Sequence, residues 1–114
     1  MKWKFRGWDA VGDKGWVYGD LVHDKKVTLT GLEDRVKVGG YEVVPKSVGI
    51  CTGLKDESGK DIYEKDIVQF RRVGAGNVTD YVAKVAYWNG SFNISRYKGF
   101  RIVGNVFNDN IAVR

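Results

Sequence analysis

Single glycines at short intervals constrain this chain more than any other feature of its sequence. Glycine occupies 15 of the 114 positions, about twice its usual share of ~7%, whereas proline occurs once. The glycines stand alone between short apolar stretches and do not cluster with serine or proline as they would in a linker. No window repeats apolar residues at i, i+3, i+4 and i+7 over the length of a helix. The spacing therefore predicts turns that join short strands, and a mainly β chain.

Apolar and polar residues alternate with a period of two in several of these stretches, which is the pattern of half-buried strands. Asn89-Gly90 separates two of them and is a strong signal for a two-residue hairpin turn. Several short strands in the second half of the chain predict a small closed barrel or sandwich. The predicted strands lie within residues 16–22, 26–30, 41–44, 67–70, 81–88, 91–97 and 100–107.

Residues 61–70 leave two interpretations open. They contain no glycine or proline, and Asp61 with Glu64 has the spacing of a helix capping box. Their apolar residues do not form one helical stripe, so a turn followed by a strand is favoured over a helix.

A change in composition around residues 45–52 marks the best candidate boundary, where Pro45 cannot donate to a central strand ladder. We predict an N-terminal β region at residues 1–48 and a small C-terminal β-barrel at 49–114, as one compact unit or two very small ones.

Composition and charge exclude several classes of protein. A hydrophobic share of 43% with 13% aromatic residues is enough to build a core, which argues against disorder. No apolar run approaches the ~18 residues that cross a bilayer, and no apolar segment follows the basic residues at the start of the chain. Cys51 is the single cysteine, which favours a reducing compartment. We therefore expect a cytoplasmic protein that does not bind membranes.

The residues that carry most enzyme chemistry are scarce. His23 lies beside Asp24, but nothing in the sequence places a nucleophile such as Cys51 near them. One histidine and one cysteine do not supply a closed zinc site, and the carboxylates do not follow a calcium-loop pattern. The glycines of Val73–Val78 lack the spacing of a phosphate-binding loop. We expect no catalytic activity, no metal and no cofactor.

Basic and aromatic residues in the second half of the chain form the one group with a plausible binding mechanism, which is contact with nucleic acid. If Trp88 faces outward, it can stack on a base while nearby cations contact phosphates. Against this, the net charge of +5 is modest and acidic residues are interspersed. The alternative is that the aromatic residues fill the core and the charges are solvated. The candidate nucleic-acid contacts are Arg71, Arg72, Lys84, Trp88, Arg96, Lys98 and Arg101.

Aromatic residues crowd the beginning of the chain, with Trp3, Phe5, Trp8 and Trp16 close together. A domain this small does not fully bury every indole, and a leftover apolar patch would mark a subunit interface. We therefore expect a homo-oligomer.

Three blocks of the sequence are similar to segments of one known protein family. The first is KFRGWD at residues 4–9, followed by Tyr18-Gly19. The second, VGICTGLKDESGKDIYEKDIV at residues 48–68, is similar to the family core TGLKDxxGxxIYEGDIV. The third, IVGNVF at residues 102–107, is similar to the family's hIGNhh ending, where h is hydrophobic. The blocks occur in the family's order and span nearly the whole chain. The chain therefore resembles the YopX family of bacteriophage and prophage proteins.

The resemblance implies a β-rich N-terminal part, an SH3-like C-terminal barrel and self-association, in a phage or prophage protein with no known enzymatic activity. It therefore points to a non-enzymatic, oligomeric binding or assembly module, with nucleic-acid binding through the barrel as the alternative and a host protein as another partner. Lys65 departs from the family, which usually has glycine there. If the turn requires a positive φ, lysine costs roughly 1 kcal/mol or more.

The core block also has a structural explanation. Asp56–Gly59 has the residues of a hairpin turn. Asp66 can bind loop amides where a strand begins, and Tyr63 offers a large ring with a polar end. We predict that these residues shape the fold.

Overall fold

The structure is a computed structural model that describes residues 4–74, 76–88, 90–94 and 99–107, with only the backbone described at 72–74, 77–79 and 88. Every strand pair in these ranges is antiparallel, and their one helical segment is a 3₁₀ turn at Pro45–Ser47. The chain divides into two compact units at residues 1–50 and 51–114. The mainly β class predicted from the glycine spacing is confirmed.

The first unit contains two antiparallel strand groups. β1 pairs with β2 and with the first two residues of β6, while β3, β4 and β5 form a separate three-stranded sheet. Its core consists of Val17, Val38 and Val43, with four half-buried apolar side chains around them. The strands are β1 (Phe5–Trp8), β2 (Trp16–Gly19), β3 (Leu21–Thr28), β4 (Gly31–Val38), β5 (Tyr41–Glu42) and β6 (Gly49–Lys55), which continues into the second unit.

Two glycines of the first sequence block lie where the backbone needs space. A Cβ atom at Gly7 would lie 2.8 Å from Cγ1 of Val43, a fully buried core residue. A Cβ atom at Gly19, whose φ is +144°, would lie 2.8 Å from Cα of Gly39. Both distances are shorter than van der Waals contact, so a side chain at either position would push packed segments apart.

Two buried polar side chains of the first unit bind backbone amides outside the strand ladders. The Ser47 hydroxyl accepts a hydrogen bond from the Trp8 amide at 2.8 Å and donates one to the Val44 carbonyl. The Asp9 carboxylate accepts from the amides of Val11 at 3.0 Å and Lys14 at 3.2 Å. These bonds shape the loop between β1 and β2 and hold the 3₁₀ turn against β1.

The second unit is built around a three-stranded sheet in the order β12-β8-β9, and two shorter pairs, β6–β7 and β10–β11, complete its described strands. A buried cluster forms the core, with four half-buried apolar side chains packed on it. The cluster contains Ile62, Val68, Phe70, Val85, Ile94 and Phe100. The strands are β7 (Asp61–Tyr63), β8 (Asp66–Gly74), β9 (Asn77–Lys84), β10 (Tyr87–Trp88), β11 (Ser91–Phe92) and β12 (Arg101–Asn105).

The structure decides between the two interpretations of residues 61–70. β7 ends at Tyr63, a two-residue turn follows, and β8 begins at Asp66. The turn followed by a strand is confirmed. The two apolar runs on either side of the turn belong to different strands, which is why they share no helical stripe.

Other details of the sequence prediction need correction. β1, β4, β6 and β7 were not predicted as strands. The strand predicted at 26–30 ends at Thr28, because the next two residues form the turn. The strand predicted at 81–88 is interrupted at Val85 and Ala86. No sheet closes into a barrel within the described ranges. The strand predicted at 91–97 ends at Phe92, because Asn93 and Ile94 lie in a turn, and residues 95–97 lie outside the described ranges. The SH3-like barrel stays a prediction.

Asp66 links three segments of the second unit, although its side chain is only 2% exposed. Its Oδ2 atom accepts a hydrogen bond from the Tyr63 amide at 2.8 Å, and its Oδ1 atom accepts one from Nδ2 of Asn105 at 3.3 Å. Its backbone carbonyl accepts from the Val85 amide at 2.8 Å. The predicted role of Asp66 at a strand entry is confirmed, and the partner Asn105 comes from the third sequence block.

Asp56 organises the turn between β6 and β7. Its Oδ1 atom accepts hydrogen bonds from the Ser58 amide, the Ser58 hydroxyl and the Lys60 amide, all between 2.7 and 2.9 Å. Gly59 has a φ of +88°. The predicted turn chemistry is confirmed. The Ser58 hydroxyl, with the amides of Lys60, Ser58 and Ile102, lowers the pKa of Asp56 against the opposing effect of desolvation.

Lys65 is the one non-glycine residue with a positive φ among the described residues, at +76°. Its amide donates to the Val85 carbonyl at 2.8 Å, and its carbonyl accepts from the Val106 amide at 2.9 Å. These two bonds hold the backbone of the turn in place on both sides. The left-handed conformation is therefore imposed on a residue whose Cβ atom disfavours it.

We predict that Lys65→Gly stabilises the protein. Removing the Cβ atom relieves a strain of about 1–2 kcal/mol. The larger conformational entropy of glycine in the unfolded chain cancels part of this stabilisation. The free energy of unfolding, measured by urea denaturation, should rise by up to about 1 kcal/mol. Lys65→Ala is the matched control, because it removes the same side-chain atoms beyond Cβ but keeps the strain. Equal stabilities of the Gly and Ala variants would contradict the argument.

We also predict that Asp56 makes stability depend on acid pH. Because its pKa is lowered in the folded state, its contribution is complete above the unfolded value and is lost as pH falls through the folded value. Asp56→Asn, which does not ionise, should melt at a lower temperature than the parent protein at neutral pH. The gap should narrow below about pH 4.

Thermal unfolding of both proteins across this pH range is the measurement. Other carboxylates titrate in both proteins, so the difference between the two melting curves isolates Asp56. A gap that stays constant with pH would show that the turn does not use the charge of the carboxylate.

Candidate functional site

The β3–β4 hairpin, residues 21–38, is the longest hairpin of the first unit, and we call it the arm. Eight cross-strand pairs run from Leu21↔Val38 to Thr28↔Gly31. The Thr28 hydroxyl closes the tip by donating to the Gly31 carbonyl at 3.0 Å and accepting from the Thr30 amide at 3.3 Å. The arm is therefore a regular ribbon up to its two-residue turn.

The two ends of the arm lie in different environments. At its base, Val38 is fully buried, and Leu21 and Val36 pack on the core of the unit. At its tip, Val27 is 84% exposed and Leu32 is 68% exposed, and these two residues are directly opposite each other. Leu29, in the turn, is fully exposed. Three large apolar side chains thus meet solvent at one end of a ribbon.

Ion pairs occupy the part of the arm between base and tip. Lys25 Nζ lies 2.8 Å from Asp34 Oδ1 on one face. On the other face, Nε and Nη2 of Arg35 donate to the two carboxylate oxygens of Asp24 at 2.7 and 2.9 Å. The hydrogen bond from Arg35 lowers the pKa of Asp24, and the one from Lys25 lowers the pKa of Asp34. The Lys25–Asp34 pair is exposed, and exposed pairs contribute little to stability.

The charges explain why the tip is left uncovered. An alternating strand normally places its charges on one face and packs the other. In the middle of the arm both faces carry charged side chains, so both are solvated and the ribbon extends beyond the core that holds its base. The apolar residues at the tip are then too far along the strand to reach that core.

The three-stranded sheet of the second unit carries the described members of the predicted nucleic-acid site. Strand register places Arg71, Lys84 and Arg101 on one face. Arg71 Nε donates to Asp80 Oδ1 at 3.1 Å, and Arg101 Nη2 donates to Gln69 Oε1 at 2.8 Å. Lys84 is exposed in β9 opposite Ile67.

This face contains a cleft of about 270 Å³. Arg71 and Arg101 line it, but so do the acidic residues Asp80 and Glu57. The positive charge of the cleft is therefore largely offset. Gly99, which shortly precedes β12, forms part of its wall.

The side chains of the other four predicted contacts are not described, so the structure does not place them on this face. Arg72 lies in β8 and Trp88 in β10, where only the backbone is described. Arg96 and Lys98 lie outside the described residues. The predicted contacts therefore stay a prediction.

The residues weighed for catalysis have ordinary surroundings. His23 is exposed within β3, opposite Val36. The strand predicted at 16–22 had placed it just beyond a strand end. Cys51 is half-buried in β6, opposite Tyr63. Within the described ranges, no three His, Cys, Asp or Glu side chains are close enough together to bind a metal ion.

Among the described residues, an exposed apolar patch lies on the arm, whereas Phe5, Trp8 and Trp16 are half-buried. Trp8 and Trp16 pack edge to face with their ring centroids 5.2 Å apart, and the Arg6 guanidinium lies 4.2 Å from the centre of the Trp16 ring. Trp3 lies outside the described residues. The sequence does contain a signal for this exposed tip. Charged residues on both faces of the two strands flank the apolar group that contains Val27 and Leu32.

Fold and surface together define a class: an antiparallel all-β protein of two small units, with an exposed apolar hairpin tip in the first and a charged sheet face in the second. The sequence profile described as YopX protein matches residues 4–112. The chain therefore belongs to the YopX family, as its three sequence blocks suggested.

A solved structure supports the fold. The crystal structure of protein EF1440 from Enterococcus faecalis matches with a TM-score of 0.51 and 21% sequence identity, over 93% of this chain and 94% of that one. No curated protein matches the chain. Among the described residues there is no helix long and apolar enough to span a membrane.

Proposed function

We propose that this protein is a non-enzymatic binding or assembly module that associates with further copies of itself. The observation that carries the proposal is the exposed apolar tip of the arm, formed by Val27, Leu29 and Leu32. Large apolar side chains grouped on a surface mark interaction sites, because burying them in a partner removes their contact with water.

The structure of the arm lowers the cost of binding. Its strands are paired over their full length, and its turn is closed by the Thr28 hydroxyl. A ribbon that is already ordered loses little conformational entropy when its tip is buried. The free energy gained from apolar burial is therefore available for affinity.

Family membership supports the finer parts of the proposal. The second unit forms an SH3-like barrel, and the protein acts in the cytoplasm of a bacterial host as a phage or prophage product. A host protein is a further candidate partner, for which affinity capture from a bacterial lysate is the direct test.

We predict that the protein self-associates and that Leu29→Asp weakens this association. Burying one leucine side chain contributes about 1.5–3 kcal/mol, so the dissociation constant should rise at least about tenfold. Sedimentation equilibrium from micromolar to millimolar protein measures it. Val11→Asp is the matched control, since Val11 is 80% exposed in a loop of the same unit. A monomer mass at every concentration would refute self-association.

Nucleic-acid binding is a second candidate function, favoured by the common face of Arg71, Lys84 and Arg101. We predict that any such binding, followed by fluorescence anisotropy with labelled single-stranded DNA or RNA, weakens steeply with salt. Arg101→Glu should lower the slope of log K against log salt by about 1, and Lys60→Glu, which changes an exposed cation in a turn, should not. No binding below about 100 mM salt would exclude this function.

A further inference from the structure

The outer edge of β3 is open along the arm. Within the described ranges β3 is the edge strand of the sheet β3-β4-β5, and no strand pairs with its outer side. The Val36 carbonyl accepts from the Val43 amide at 3.0 Å, so the main-chain groups of Val36 point away from β3. These groups alternate in direction along each strand of an antiparallel pair. The register therefore directs the amides and carbonyls of His23, Lys25 and Val27 to the outer edge of β3.

The two lysines that precede Val27 are turned away from this edge. Lys25 Nζ lies 2.8 Å from Oδ1 of Asp34, which is in β4. Lys26 Nζ lies 3.0 Å from Oε2 of Glu42, in β5 on the far side of β4. Lysines on an edge strand normally prevent it from pairing with another chain. Here both ammonium groups lie on the side of β4, and the edge beside Val27 carries no charge of its own.

We infer that two copies of this protein associate by pairing the outer edges of their β3 strands at the tips, antiparallel and centred on Val27. The inference rests on the proposed function and specifies its contact. Val27 of each copy exchanges two main-chain hydrogen bonds with the partner's Val27. Because Leu32 is directly opposite Val27 within each arm, two leucines and two valines form one apolar row across four strands. Leu29 lies beside the methylene stem of the partner's Lys25.

The sequence of β3 leaves Val27 as the centre of such a pair. Antiparallel pairing about a two-fold axis sets one residue directly opposite its own copy. Each of residues 24–26 is charged and would meet a like charge there. A centre at residues 21–23 would carry each turn past the base of the other arm, into the space of its core. A centre at Thr28 would pair Val27 with Leu29, which lies in the turn.

Pairing about Val27 keeps the bases of the two arms apart. Only residues 25–29 of each copy overlap, and they belong to the exposed end of the ribbon. Leu21 and Val36 stay packed on the core of their own unit. The two arms therefore meet end to end, and the solvated middle of each arm separates its core from the contact.

The outer edge of β4 is the less favourable alternative. Pairing centred on Leu32 would bring the two copies of Glu33 diagonally across from each other, about 7–8 Å apart. Glu33 makes no ion pair with any described residue, because the ammonium group of its cross-strand neighbour Lys26 is bound to Glu42. The β4 edge therefore places two uncompensated like charges beside the contact. At the β3 edge the corresponding pair is Lys26 and its copy, whose charges Glu42 compensates.

Disulfide trapping in the full chain distinguishes the two edges. Val27→Cys and Leu32→Cys are made in a Cys51→Ser background, so that each protein has one thiol. Pairing about Val27 places the two Cα atoms of residue 27 about 5.5 Å apart, which suits a disulfide. The two Cα atoms of residue 32 are then three strand spacings apart, about 14 Å, which is too far.

The measurement is the initial rate of disulfide-linked dimer formation with copper–phenanthroline, followed on non-reducing gels. Val27→Cys should form the dimer at least about tenfold faster than Leu32→Cys. In denaturing urea the two rates should be equal, which controls for the reactivity of each thiol. Equal rates in the folded proteins, or a faster reaction of Leu32→Cys, would overturn the inference.

A proline variant tests the main-chain hydrogen bonds. Val27→Pro removes the amide that bonds to the partner, while the ladder between β3 and β4 does not use this amide. Its dissociation constant, measured by sedimentation equilibrium, should rise at least about tenfold. His23→Pro is the matched control, since its amide also points to the outer edge but lies outside the overlap. Thermal unfolding of both variants verifies that they are folded. Equal weakening by the two prolines would contradict a contact centred on Val27.

The outcomes distinguish this inference from the function on which it rests. If the parent protein self-associates but Val27→Cys is trapped no faster than Leu32→Cys, the inference is wrong and the copies associate through another surface. If the parent is a monomer at every concentration, the proposed function itself fails. Self-association of the parent together with selective trapping at residue 27 supports both.

Discussion

The buried carboxylate of Asp66 is the interaction on which the second unit depends most. Moving a charged group out of water costs several kcal/mol unless hydrogen bonds replace its hydration. Here the Tyr63 amide and the Asn105 side chain supply them. The requirement fixes the turn before β8 and brings the segment that contains Asn105 to the same place. It also gives a structural reason why residues of the second and third sequence blocks, far apart in sequence, lie together.

The first unit uses the same principle with smaller groups. Asp9 and Ser47 are buried and accept hydrogen bonds from backbone amides that have no partner in the strand ladders. Gly7 allows the chain to pass within contact distance of Val43. A unit of about fifty residues has too small a core to position its loops by packing alone. Short polar side chains and glycines therefore determine the loops, and Gly7, Asp9 and Gly19 among them belong to the first sequence block.

The parts of this structure that were predictable from the sequence are those governed by local chemistry. The turn at Asp56–Gly59 and the strand entry at Asp66 both depend on residues within a few positions of each other. The arm was missed because β4 carries charges on both faces and has no apolar alternation in its middle. Cross-strand ion pairs with β3 stabilise β4 instead. These pairs depend on the register between the two strands, which the sequence of either strand alone does not reveal. The acidic residues that offset Arg71 and Arg101 come from other strands and loops for the same reason.

The arm combines exposed apolar residues at its tip with charged residues directly beside them. An exposed strand end with valine and leucine is a risk for aggregation, and charged residues beside it reduce that risk. Charged residues on both faces behind the tip keep the middle of the ribbon from packing on the core. They also confine the exposed apolar surface to the last residues of the hairpin, where it is small and bordered by charge.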